Sequence, residues 1–374
     1  MKKFFPVNEP KFQGNEALYL DQCIKSGEVA AGKFIGKFER EFAKHLNRNF
    51  AQTVSNGTAA LEVALYAAGV RPGDEVIMPS FTIISCALAI LRVGAIPVIS
   101  DVCQATLNIE AVQIEQLITK KTRAIMVVHT YGHPCDMDPI NDLANHYHLK
   151  IVEDTAEAHG GEYKGKLCGS LGDVSTFSFY ANKHITTGEG GMVVTNSEEI
   201  NSRAAFYKNL CFEPNDRFHH NELGYNFRLS NIQCAVGLAQ LENFSSALEH
   251  KIKCGERYKK NLQHIPFFEM QEEAEWAKQV YWVYCIRILE DFPVNAKKVI
   301  ELLRDEGVDT RPFFKGMHAQ PALQNLGLFA DMSCPVSDLA YKKGFYLPSG
   351  LNLSLDDIDQ VCHIVESIFI KLAK

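Results

Sequence analysis

Between about residues 50 and 200, short runs that are apolar almost from end to end alternate with stretches of helical periodicity. "DEVIMPS" (Asp74–Ser80), "IPVISD" (Ile96–Asp101), "RAIMVVHTYG" (Arg123–Gly132) and "LKIVEDTA" (Leu149–Ala156) read as strands. A strand with no polar face is one that helices cover on both sides, as in a parallel sheet. "GTAALEVALYAAG" (Gly57–Gly69), "ISCALAILRVG" (Ile84–Gly94) and "MDPINDLANHYH" (Met137–His148) lie between them and read as helices. Strand, helix and strand in series imply right-handed crossovers and an open, mostly parallel α/β sheet. Ligands of such sheets sit beyond the carboxyl ends of the strands.

The chain has 374 residues, more than one core usually supports, so two domains sharing a cleft are expected. The pattern changes after about residue 240. A helical stretch from Leu238 to Leu262 is followed by "VYWVYCIRI" (Val280–Ile288), read as a strand, and by helices near Ala296–Glu306 and Leu355–Leu372. This divides the chain into a large α/β/α domain over residues 1–245 and a smaller α+β domain over 246–374. A net charge of −7 argues against nucleic acid as a partner. No run reaches the ~18 apolar residues of a membrane span, and "MKKFFPVNEP" lacks an apolar leader core. Eleven scattered cysteines with no C-x-x-C pair read as reduced thiols, which places the protein in the cytoplasm.

Three features fall at strand ends. Ser55, Asn56, Gly57 and Thr58 open a helix, and they suit either an ordinary N-cap or a phosphate dianion held by free amides and the helix dipole. Asp154 ends "KIVED", where a buried acid needs a partner: a helix cap, an internal salt bridge or a cationic ring nitrogen. Lys183 follows "STFSFY" and precedes "TTGEGG". A lone lysine is usually a solvated surface group. A desolvated one loses its proton more easily and becomes a nucleophile toward an aldehyde. Phosphate cradle, strand-end carboxylate and lysine, in that order, match the needs of pyridoxal 5′-phosphate. On this reading Gly188, Gly190 and Gly191 let the backbone pass close to the cofactor.

These stretches carry a resemblance. "VSNGTAAL", "PGDEVIMPSFT", "VHTYGHPCDMDPI", "VEDTAEAHGG", "STFSFYANKHITTGEGGMVVTN", "GYNFRLSNIQCAVGLAQLE" and "TRPFF" with His318 run nearly end to end. They are similar, in the same order, to motifs of the DegT/DnrJ/EryC1/StrS sugar aminotransferases, a fold type I group that uses pyridoxal phosphate. Within that group, "HTYGHPCDM" and "NKHITTGEGGMVVTN" look most like the GDP-perosamine synthases, 4-aminotransferases of GDP-4-keto-6-deoxymannose. The resemblance implies that Lys183 holds the cofactor and moves the proton to the substrate carbon. It implies that Asp154 pairs with the pyridine nitrogen, that Glu157 lies near the ring hydroxyl, and that Gly57, Thr58 and Ser178 hold the phosphate. Asn226 would reach the phosphate of a neighbouring subunit, making a homodimer with shared sites the catalytic unit. His318 would line the sugar pocket.

The implied reaction moves an amino group from L-glutamate to C4 of a nucleotide-linked 4-keto-6-deoxyhexose. A UDP or dTDP carrier, or amination at C3, is the alternative. A sugar dehydratase or a non-catalytic protein of the same fold is a lesser one. Two positions depart from the family. Ile83 stands where an aromatic residue usually stacks on the ring, leaving Phe81 or a plain apolar face to take its place. His184 follows Lys183 where threonine is usual, while the lysine that dehydratases replace with histidine is kept, which favours transamination. Arg228 and Arg311 could clamp a diphosphate or the donor's carboxylate, or serve structure alone. His129 and His133, with Cys135 and Asp136, are four apart but lie on a strand end and a loop, so no metal is expected. His219 and His220 fall in the polar loop "EPNDRFHHNE", a candidate cap of the site or a plain solvated loop.

Overall fold

A computed structural model describes residues 3–213 and 215–374. Met1 and Lys2, at the start of the segment read above as lacking a leader, and Pro214, in the polar loop, lie outside the described residues. The main sheet has seven strands: β1 (Phe50–Val54), β2 (Glu75–Pro79), β3 (Ile96–Ser100), β4 (Thr122–Val128), β5 (Lys150–Asp154), β8 (Val174–Ser178) and β9 (Gly191–Thr195). Their order is β1-β9-β8-β5-β4-β2-β3. Only β9 is antiparallel to its neighbours, so the other six strands run the same way.

Both faces are covered, and side chains alternate between two cores. Val76, Met78, Ala124, Met126 and Val128 pack with the helices Gly57–Ala67 and Ser85–Arg92. Ile77, Ile125, Val127 and Ile151 pack with the helices Ala111–Leu117 and Met137–Tyr147. This is why the strands carry no polar alternation. A third core, rich in Phe34, Phe38, Phe42, Phe177 and Phe179, lies under the helices Lys33–His45 and Asn231–Glu242.

The second unit is a four-stranded antiparallel sheet, β10 (Phe268–Met270), β12 (Tyr284–Ile288), β14 (Gly344–Leu347) and β13 (Arg311–Pro312) in that order, packed against the helices Phe244–Leu262, Ala296–Asp305 and Leu355–Leu372. The chain's beginning joins it, since Phe5 packs in that core and pairs with Val308. A small sheet ties the units together, with β11 (Ala277–Lys278) added to the hairpin of β6 (Glu162–Tyr163) and β7 (Lys166–Leu167).

Two expected elements differ. The helix read as Leu238–Leu262 is two helices, Asn231–Glu242 and Phe244–Leu262, parted at Asn243. The Asn243 side chain bonds back to the Ala239 carbonyl (3.1 Å), an alternative to continued helix that this residue type offers. The strand read as Val280–Ile288 begins only at Tyr284. Tyr281 adopts a positive φ of 47°, and the groups around it bond to other elements instead of a strand.

Candidate active site

A cavity of about 600 Å3 opens beyond the carboxyl ends of β4, β5 and β8, with Trp282, Phe314 and Tyr346 of the second unit on its far wall. That volume is in the range of small-molecule and cofactor sites. Asn56 caps the helix Gly57–Ala67, its Oδ1 accepting the Ala59 amide at 2.8 Å. The first amides of that helix have no acceptor within it and point out of its end, where the dipole favours an anion. Gly57 packs against Ser178 so closely that a Cβ there would lie 2.8 Å from the Ser178 Cβ. The Thr58 hydroxyl donates to Ser85 (2.8 Å).

Asp154 is buried at the end of β5. Among the described residues its carboxylate oxygens meet only the Ala156 amide (3.0 Å) and the Cys86 thiol (3.3 Å). Burial pushes its carboxyl up, the amide offsetting part of that. A buried carboxylate with no ion pair of its own, Lys183 acting on it only from beyond contact, suits a cationic donor arriving with a ligand. Glu157 accepts the Tyr131 amide (2.8 Å) and lies 3.9 Å from the Lys183 Nζ. Burial pushes the Glu157 carboxyl up and the Lys183 amine down, and each one's charge opposes the shift of the other. The Lys183 Nζ also sits 3.7 Å from the centre of the Trp282 ring.

The cavity therefore brings together Asn56, Gly57, Thr58, Ile83, Asp154, Glu157, Ser178 and Lys183. Ser55 lies behind it, its amide bonded to the Phe227 carbonyl (2.8 Å). Ile83 is 45% exposed, whereas Phe81 is in the core against Tyr131 and Phe313 and does not reach the cavity. His184 is buried with its Nε2 toward the Val280 carbonyl (3.3 Å). His318 bridges Ser80 (2.8 Å) and Asp338 (3.0 Å). Arg228 donates to Asn209 (2.7 Å), and Arg311 pairs with Asp309. None of these four residues lines the cavity, and neither does Asn226, which is exposed beside Asn209.

The histidines set aside for metal are held by protein groups. His129 accepts the Cys135 amide at Nδ1 and faces Glu153 through Nε2 (3.1 Å), while His133 accepts the Ala274 amide at Nε2 (3.1 Å). Among the described residues no group of three metal-ligating side chains stands together. His220 lies on the exposed loop with its Nδ1 3.0 Å from the Leu210 carbonyl, and His219 is exposed beside it.

Sequence reasoning missed the aromatic wall. Trp282, Phe314 and Tyr346 come from the second unit, and Tyr180 from the stretch before Lys183. In the sequence each looks like a core residue. The signal available was the tryptophan in "VYWVYCIRI", a large side chain with a polar N–H that needs a partner when buried.

An open parallel sheet with a cavity at its strand ends, closed by a smaller α+β unit, is the architecture of an α/β enzyme. The chain belongs to the DegT/DnrJ/EryC1/StrS aminotransferase family, whose sequence profile matches residues 10–366. It is 38% identical over 365 residues to the GDP-perosamine synthase of Vibrio cholerae, covering 97% of this chain and 99% of that one. It is likewise 38% identical to the enzyme of the same name from Caulobacter vibrioides, with 97% and 98% covered. Among solved structures it is similar to Helicobacter pylori PseC, an aminotransferase involved in the biosynthesis of pseudoaminic acid, with a TM-score of 0.93, 26% identity, and 99% and 100% covered. The protein is a sugar aminotransferase that depends on pyridoxal phosphate. No described helix is long and apolar enough to cross a membrane.

Proposed function

We propose that the enzyme moves an amino group from L-glutamate to C4 of GDP-4-keto-6-deoxy-D-mannose, giving GDP-perosamine. The observation that carries this reading is 38% identity, over nearly the whole of both chains, to two proteins named GDP-perosamine synthase. The bound cofactor supplies an aldehyde and an electron-accepting ring. The residues present fit it. The amides of Gly57 and Thr58, with the Asn56 cap and the Ser178 hydroxyl, hold a phosphate at the helix start. Asp154 would hold a proton on the ring nitrogen, and that cation would offset the cost of its burial. Glu157 would take the ring hydroxyl, and Ile83 would offer an apolar face.

Lys183 has two tasks. Its amine, made easier to deprotonate by burial, would bond the cofactor's aldehyde with loss of water, and when free would carry the proton to and from the reacting carbon. Asn226, exposed and away from its own cavity, would serve a second copy, so the working unit is a homodimer. The lobe that holds the cofactor lies within residues 1–245, and residues 246–374, joined by the segment around Phe5, form the lobe beside it. Eleven free thiols suit the cytoplasm.

The test is a panel of GDP-, UDP- and dTDP-linked keto sugars with L-glutamate, the aminated carbon being read by NMR. The GDP sugar aminated at C4 is the expected product. Turnover confined to a UDP or dTDP sugar, or amination at C3, would replace the substrate named here. Lys183→Ala should fold, lose the visible absorption band of lysine-bound cofactor and lose turnover. Wild-type turnover by that variant would remove the assignment.

A further inference from the structure

The segment that carries Trp282 is held from several sides. The Val280 amide bonds the Gly132 carbonyl (3.1 Å), and the His184 Nε2 faces the Val280 carbonyl. Tyr281 turns through a positive φ, with its ring against Gly255, where a Cβ would come within 2.3 Å of that ring. The Trp282 indole N–H donates to the Asn182 carbonyl (2.9 Å), next to Lys183. From behind, the Lys251 amine bonds the Trp282 carbonyl (2.8 Å) and also the Ser349 carbonyl. Lys251 is buried, and its amine is held by backbone carbonyls. A lysine in such a place is expensive to bury, and two backbone carbonyls are weak compensation for it. A site of that kind needs a reason beyond packing.

The reason is in front of it, where the Trp282 ring face lies 3.7 Å from the Lys183 Nζ. An indole face attracts an ammonium ion but cannot take its proton. Glu157, at 3.9 Å, can. The two neighbours therefore do different work on one amine. We propose that Trp282 is a further catalytic residue of the aminotransferase reaction, its indole face holding the Lys183 amine in place whenever that amine is free of the cofactor, and that Lys251 is the positioning residue that keeps the indole there. This rests on the reading of Lys183 as the reactive amine.

The test follows Lys183 in the cofactor-free protein, by competitive labelling with acetic anhydride across pH and mass spectrometry of the Lys183 peptide. Other groups act on this amine too. Asp154, Glu157 and His159 face it from β5 and the turn that follows, and His184 from its own loop, while Tyr346 lines the same cavity from the second unit. All are left in place in the Trp282 variants. Trp282→Leu should move Lys183 labelling about one pH unit lower, the worth of a desolvated cation–π contact. Trp282→Phe, which keeps a ring face, should recover most of that shift. Should the leucine variant not fold, Trp282→Met fills similar volume without a ring face and reports the same shift.

Lys251→Met should change Lys183 labelling in the wild-type background and leave it unchanged in the Trp282→Leu background, because its action passes through the indole. In turnover, both Trp282→Leu and Lys251→Met should lower kcat with little change in KM for glutamate. Unshifted labelling in a folded Trp282→Leu or Trp282→Met variant overturns the role of Trp282. A Lys251→Met effect that persists in the Trp282→Leu background overturns the role of Lys251. The underlying reading fails separately, if borohydride reduction of the wild-type holoenzyme leaves Lys183 without the cofactor.

Discussion

Burial pushes the Asp154 carboxyl up more than the Ala156 amide, the Cys86 thiol and the nearby Lys183 amine, which forms no ion pair with it, pull it down. Its folded pKa is raised above the unfolded value near 3.9. Between those two values the folded state binds the proton that the unfolded chain has released, so this group's cost is absent below ~3.9 and grows as pH rises through the folded value. Asp154→Asn removes the ionisable group and should raise the melting temperature of the cofactor-free protein at pH 7. That gain should shrink as the pH falls toward 4. The same variant should bind pyridoxal phosphate more weakly if Asp154 is the ring nitrogen's partner, as proposed. Melting curves of the cofactor-free protein across pH, beside a cofactor titration, check both signs. An asparagine variant less stable without cofactor would mean that Asp154 serves the fold rather than the ligand. Asp154 and Lys183 are legible in the sequence because each ends a run of packing residues with a charge that packing does not use. Trp282 is not, since an aromatic among "VYWVYCIRI" looks like core, and the contacts that distinguish it come from Lys251, Asn182 and Lys183, elsewhere in the chain.

The α/β pattern is legible for a physical reason: two covering layers leave the strands without a polar face, and β2 and β4 stand where their largely apolar runs predict them. The glycine loop shows the limit of such reading. Gly188, Gly190 and Gly191 were expected to admit the cofactor, and none of them lines the cavity. Gly191 instead lets β9 close on the turn before the cofactor-site helix. A Cβ there would lie 2.5 Å from the Asn56 carbonyl oxygen and 2.9 Å from that of Phe177, both of them backbone. Gly190 would strike the Thr187 hydroxyl, and Gly188 has φ of +81° with open space around it. A sequence shows that a glycine is present but not which of these needs it meets. Gly191→Ala should cost about 1–3 kcal/mol of stability, as overpacking does, and should weaken cofactor binding because Asn56 must shift. Gly188→Ala should cost about 1–2 kcal/mol through its left-handed backbone alone and leave cofactor affinity unchanged. Denaturant melts and cofactor titrations of the two variants separate the mechanisms. Equal loss of affinity in both would return the loop to direct cofactor contact.

At the scale of the whole molecule, apolar side chains remain exposed near the cavity and on the loop that precedes Asn226. Ile83 is 45% exposed, Tyr180 47%, Phe218 84%, Leu223 90% and Tyr225 43%. Exposed apolar side chains in such number around a site are a feature of interaction surfaces. In a symmetric dimer the same patch serves both copies. If Asn226 acts across that interface, each site takes its lysine from one chain and its asparagine from the other. Lys183→Ala and Asn226→Ala should then each be weak or inactive alone, and mixing them should restore activity. In a mixed dimer one site lacks both residues while the other has an intact Lys183 and an intact Asn226. Random exchange makes half the dimers mixed, so about a quarter of all sites become whole. Asn226 acting within its own chain gives the opposite result, because no mixed dimer then contains a complete site. Turnover measured after refolding the two variants together, against each refolded alone, decides between the two arrangements.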